Sequence, residues 1–137
     1  MVFETPEQAE VAFYQALADG DPAAMTSLWE ESDAVACIHP VGPRLSGHTQ
    51  VTVSWEHILE GGGMRLRQRR LSVYADAQLA VHTVLEELLR SDGEGMVEVL
   101  ATNVYRRGPH GWRMVLHHAS PVAYPETSAE GDARQVH

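Results

Sequence analysis

Residues 101–121, ATNVYRRGPHGWRMVLHHASP, decide how the rest of the chain is read. Thr102, Val104 and Tyr105 favour a strand, Gly108-Pro109-His110-Gly111 is a cluster of turn formers, and Trp112 to Leu116 resumes an apolar strand. The stretch therefore predicts a β-hairpin. Strict alternation along its second strand puts Trp112, Met114, Leu116, His118 and Ser120 on one face and Arg113, Val115, His117 and Ala119 on the other. Neither face is cleanly polar, so both should be covered, one by the protein's own helices and the other by a second subunit. Because His117 and His118 are adjacent, one of them must look toward the core.

Working outward, 137 residues with 44% hydrophobic content suit one domain with a real core. The chain begins MVFETPEQ, without a basic and then apolar leader, and no run approaches the roughly 18 apolar residues that cross a membrane. Cys37 stands alone and cannot form an intrachain disulfide. These features lead us to expect a soluble protein of the cytoplasm. Ten basic residues against nineteen acidic ones leave a formal charge of -9, which repels phosphate backbones and argues against a nucleic-acid partner.

In chain order, Thr5-Pro6-Glu7-Gln8 spells a capped helix start, and Ala9, Ala12, Phe13, Ala16 and Leu17 form its apolar stripe until Gly20. Asp21-Pro22 opens a second helix on Met25, Leu28 and Trp29, expected to end near Ser32. Residues 34–39 read as a short buried strand, followed by a loop through Pro40, Gly42, Pro43, Ser46 and Gly47. Val51, Trp55, Ile58 and Leu59 share one face of a third helix over about 49–60, closed by Gly61-Gly62-Gly63. From Met64 the period changes to strands at 64–75, 78–90, 95–107 and 112–120, with Asp92-Gly93-Glu94-Gly95 as a turn. The domain should occupy residues 1–121, and the polar composition of 122–137 reads as a loose tail. Helices first and then a meander imply α+β.

This order, with His39-Pro40, Gly47, Ser54-Trp55, Thr102-Asn103-Val104-Tyr105, Gly111-Trp112-Arg113 and His117-His118-Ala119-Ser120-Pro121, resembles the nuclear transport factor 2-like superfamily, its SnoaL-like branch most of all. The resemblance implies a curved antiparallel sheet wrapped around N-terminal helices into a cone, an α+β barrel with a pocket at its wide end, commonly paired into a homodimer through the outer sheet face. It implies no single activity. Relatives include ketosteroid isomerase, scytalone dehydratase, limonene epoxide hydrolase, polyketide cyclases and simple ligand binders. The enzymes place carboxylates deep in the cone, whereas the last two strands here carry a single one, Glu98, so the two-Asp arrangement of ketosteroid isomerase does not map onto this chain.

His39 and His118 are the candidate catalytic residues, since each ends an apolar strand and neutral imidazole suits proton transfer near pH 7. Each also reads as a hydrogen-bonded core histidine. Asn103 is unusual inside a strand and should bind a ligand or satisfy a buried neighbour. With Trp29, Trp55, Trp112 and His117 it makes the candidate ligand-binding set for a small apolar or aromatic ligand. His39, Trp55, Asn103 and His118 are expected to line one cavity. Cys37 and His39 share a strand face, but nothing around them spells a cysteine enzyme. Eight histidines show no metal-ligand spacing, so neither a metal nor a cofactor is expected. Arg65, Arg67 and Arg69 read as a solvated face paired with Glu86 or Glu87.

The expected function is therefore small-molecule binding by a homodimer. One alternative is an isomerase, dehydratase or cyclase with a pocket histidine, for which Asp33, Glu56, Glu86 or Glu98 would supply the carboxylate. A structural association domain is the other.

Overall fold

Thr5 caps the first helix as its spelling predicts, its hydroxyl accepting from the Gln8 amide at 3.1 Å. The computed structural model describes residues 1–90, 93 and 95–122. Among these, three helices and six strands follow in the order α1 (Pro6–Asp19), α2 (Pro22–Leu28), β1 (Ala36–Ile38), β2 (Arg44–Ser46), α3 (His48–Leu59), β3 (Leu66–Ala75), β4 (Leu79–Leu89), β5 (Met96–Gly108) and β6 (Gly111–Pro121). The expected tail lies outside the described residues from 123 onward, as do positions 92 and 94 of the expected turn. On either side of that turn β4 and β5 pair antiparallel from Leu79↔Arg106 to Leu89↔Met96.

The sheet runs β2-β1-β6-β5-β4-β3 and is curved and unclosed, with β2 and β3 as its edges. All neighbours are antiparallel except β1 and β6, which run parallel. On the concave side the core joins Phe13, Leu17, Met25, Leu28, Trp29, Val51, Trp55 and Leu59 of the helical layer to Val84, Tyr105, Trp112 and Met114 of the sheet. Where α1 ends, the chain passes so close to the 61–63 loop that a Cβ on Gly63 would sit 1.9 Å from the Ala18 carbonyl oxygen. Glycine is required there because no side chain fits.

Two expectations about elements need correction. The second helix stops at Leu28, short of Ser32, because Trp29 turns extended and makes a parallel bridge to Met114 of β6. The stretch expected to be only a loop contains β2, a three-residue edge strand paired with β1.

A third correction changes which histidine faces the core. Between Val104↔Leu116 and Tyr105↔Met114 the β5–β6 register shifts, leaving Val115 as an extra residue. A bulge of this kind reverses the parity of everything beyond it. Trp112 and Met114 stay inward, but the inward set then continues as His117 and Ala119, while His118 lies exposed on the convex side. The outer sheet face, expected to meet a second subunit, is likewise not the face that carries Val97 and Val99 of β5. Both share parity with Asn103, and Val99 is buried on the concave side, while Val115 packs partly on the core. On β5 the convex face is carried by Leu100, Thr102 and Val104, with Leu100 42% exposed.

Candidate functional site

The apolar stripe of α1 contains two polar residues, Glu10 and Tyr14, which fall at the i, i+3, i+4 and i+7 spacing with Phe13 and Leu17 and are buried with them. They meet His82 and Glu86 of β4, Asn103 and Tyr105 of β5, and His117 of β6, all on the concave face. Glu10 is the more enclosed carboxylate. Its Oε2 accepts from Tyr105 OH at 2.6 Å and lies 2.8 Å from His82 Nδ1, and its Oε1 accepts from Arg70 Nε at 2.7 Å. Burial opposes the charge, yet these hydrogen bonds and the neighbouring His82 hold the Glu10 carboxyl down at about 2.

The seam continues through Asn103, whose amide nitrogen donates to Tyr14 OH at 3.0 Å and to Glu10 Oε2 at 3.4 Å. With the nitrogen spent there, the Asn103 carbonyl oxygen faces His117 Nδ1 at 2.6 Å, which assigns the His117 proton to Nδ1. Tyr14 OH in turn donates to Glu86 Oε2 at 2.7 Å. Burial, reinforced by the Glu10 charge and opposed by the Tyr14 hydrogen bond, pushes Glu86 up to about 7. Burial also depresses His117 to about 3, with further repulsion from His39 and His118. Both imidazole and carboxyl are thereby biased to their neutral forms.

Glu86, His117 and His39 form the polar wall of a cavity of about 180 Å³, whose apolar walls are Leu17, Pro40, Trp55, Ile58, Met64, Leu66, Leu88 and Val99. His39, just past β1, stacks edge-on against Trp55 at 4.6 Å and lies 3.0 Å from Ser54 Oγ. Because Ser54 Oγ already donates to the Val51 carbonyl, it accepts here and His39 Nε2 carries the proton. Burial lowers the His39 pKa as well. Cys37 Sγ lies 3.7 Å from His39 Nε2, but burial pushes the thiol up to about 12, so no thiolate forms at neutral pH.

Of the residues singled out from sequence, His39, Trp55 and His117 line this cavity, and Asn103 stands one hydrogen bond behind it. His118 is on the opposite sheet face. Trp112 is core, and Trp29 borders a separate groove of about 610 Å³ beside the β5–β6 turn. Glu86 alone of the four weighed carboxylates is at the cavity, and no hydrogen bond joins it to either imidazole among the described residues. Glu10, Tyr14, His82 and Tyr105 were missed. The signal was present for Glu10, a carboxylate inside an apolar helical stripe. Among the described residues no group of three or more His, Cys, Asp or Glu is placed to hold a metal ion, and no helix is long and apolar enough to cross a membrane.

This geometry has relatives. The model of the SnoaL-like domain family matches residues 7–125. A crystal structure from Thiobacillus denitrificans, provisionally designated a calcium/calmodulin-dependent protein kinase type II association domain, is 41% identical, covers 89% of this chain and 98% of its own, and superposes with a TM-score of 0.83. A provisionally designated dehydratase of the NTF2-like family from Streptomyces avermitilis is 31% identical over 85% of this chain and 93% of its own, with a TM-score of 0.69. The F-box protein SKIP8 of Arabidopsis thaliana is 31% identical over 111 residues, 79% of this chain, and the match spans 46% of that longer protein. A family match across most of the sequence, on the curved sheet and helical layer of the NTF2-like fold, carries the conclusion that the chain belongs to the SnoaL-like domain family.

Proposed function

We propose that the chain binds a small, largely apolar molecule in the cavity between α3 and the concave sheet face, anchored at its polar wall by Glu86 and His117. The observation that supports this is the cavity's two-sided chemistry, eight apolar side chains facing two buried groups that retain unused polar atoms. Its size favours a single ring or short chain, since an engineered apolar cavity of about 150 Å³ accepts benzene. Trp55 and His39 form the ring-stacking side, and Asn103 orients His117 from behind. The test is native mass spectrometry against single-ring and short-chain compounds. One retained ligand per chain is expected, with retention lost in Ile58→Trp, which fills the cavity from α3. Unchanged retention in that variant, or none in the wild type, would overturn the proposal.

A second reading is an isomerase, dehydratase or cyclase. It is favoured by Glu86, which near pH 7 can both give and take a proton. The proton would pass between Glu86 and His117 or His39 through the substrate, since no direct bond joins them. Incorporation of solvent deuterium into a bound carbonyl compound, abolished in Glu86→Gln, would support it.

The Thiobacillus relative's designation as an association domain bears on the partner. We propose a homodimer through the convex face around Leu100, where His118 also lies. Sedimentation at micromolar concentration showing only a 15.1 kDa species would exclude it. A cytoplasmic location is proposed with it, to be checked by cell fractionation.

A further inference from the structure

The polarity of the hydrogen bonds around the cavity selects among ligands. Asn103 spends its amide protons on Tyr14 and Glu10, so His117 must donate from Nδ1, and the polar atom it has left for a ligand is Nε2, a lone pair. Glu86 accepts from Tyr14 through Oε2, leaving Oε1, again an acceptor when ionised. His39 donates from Nε2 to Ser54, which leaves Nδ1 as a lone pair. The indole Nε1 of Trp55 is the remaining donor in the wall, but it is sealed from solvent and lies toward the Cys37 thiol. No cationic side chain pairs with Glu86 among the described residues, whereas Glu10 has Arg70 and His82.

We infer that the cavity takes a ligand headed by an N–H cation, a primary ammonium on a body about the size of one ring, with the ammonium donating to Glu86 Oε1 and His117 Nε2. The inference rests on the ligand-binding reading of the same cavity. An ammonium has three donors and no acceptor, which matches a wall of acceptors, and it supplies the positive charge that Glu86 lacks. A carboxylate ligand would meet lone pairs and a second negative charge. The titratable groups facing Glu86 are Tyr14 and Glu10 from α1, Cys37 from β1, His117 from β6 and His39 beyond β1, and none of them is a cation at neutral pH. Binding should therefore ionise Glu86 and release its proton.

The experiment uses benzylamine, benzyl alcohol, benzoate and toluene with the whole chain by titration calorimetry. At pH 7.5 benzylamine is expected to bind tighter than benzyl alcohol by on the order of tenfold or more, with benzoate weakest. At pH 6.5, repeated in two buffers of different ionisation enthalpy, benzylamine should release a fraction of a proton and benzyl alcohol none. Glu86→Gln keeps an acceptor for Tyr14 but removes the charge, so the preference should fall to within about threefold. The wild-type proton release serves as the check that does not depend on that variant folding. Benzoate binding best, a preference unchanged in Glu86→Gln, or no proton release would each overturn the inference. Toluene binding without benzylamine binding would overturn it alone, while failure of all four would remove the binding proposal beneath it.

Discussion

Glu10 and Glu86 are the same length of side chain on the same concave surface, 2% and 6% exposed, and the protein drives them in opposite directions. Around Glu10 four donors converge, one of them a guanidinium, and the carboxyl is held at about 2. Around Glu86 one phenol donates and the Glu10 charge repels, and the carboxyl rises to about 7. Burial is common to both, so the partners decide the difference. Glu10 is fully satisfied, whereas Glu86 keeps Oε1 without a hydrogen-bond partner among the described residues, and the binding proposal rests on that difference.

The hardest way to break this contrast is to remove the satisfied partner. Glu10→Ala leaves Arg70 and His82 without their carboxylate and should destabilise the chain by about 3–5 kcal/mol, read from denaturant unfolding. Next in size is the pH behaviour of Glu86→Gln. A carboxyl whose pKa rises on folding binds more protons folded than unfolded, so wild-type stability from this group falls as pH climbs from the ordinary 4.5 to about 7. The glutamine variant lacks that loss. Its stability relative to wild type should therefore increase by about 3 kcal/mol between pH 4.5 and 7.5. Glu10 and His117 act the other way. Both have depressed values, so their stabilisation is complete above the ordinary 4.5 and 6.5 respectively and is lost as pH falls toward about 2 and 3. Unfolding of the glutamine variant should accordingly show a steady loss of stability on acidification below pH 6.5, where wild type is flatter.

Tyr14→Phe is smaller, costing about 1–2 kcal/mol, and sharpens the comparison because it removes the one hydrogen bond that favours ionised Glu86. The Glu86 carboxyl should titrate higher in this variant, followed by the infrared band of the protonated acid. The last comparison separates the adjacent histidines, and its smaller member is the smallest effect of all. His118→Ala should change stability by less than about 0.5 kcal/mol, and His117→Ala should cost about 1–3 kcal/mol because it orphans the Asn103 carbonyl. Equal costs would contradict the bulge-shifted register.

Much of the architecture was legible because it rests on local chemistry. Thr5-Pro6 and Asp21-Pro22 place helix starts by satisfying free amides, and Gly108-Pro109-His110-Gly111 bends the hairpin where Gly108 and Gly111 pair. Trp55 on the α3 stripe and Asn103 inside a strand were both noticeable, one for its spacing and the other for its rarity in that setting. The histidine assignment was not legible. Alternation carries a side-chain direction along a strand only while each residue has a partner across the ladder, and Val115 has none.

The order of the helices and long strands, the helix starts and the apolar face of each helix thus follow from the sequence itself, since capping, turn formation and hydrophobic period act over a few residues, whereas the early end of α2 and the edge strand β2 depend on pairing with the sheet. Tertiary structure alone decided that His117 and not His118 faces inward, that Arg70 reaches Glu10 across 60 positions, and that Glu86 rather than Asp33, Glu56 or Glu98 borders the cavity. Each of these depends on sheet register and on which groups meet a carboxylate after folding. A sequence lists the donors and acceptors, but the distance between them is fixed only when helix and sheet pack.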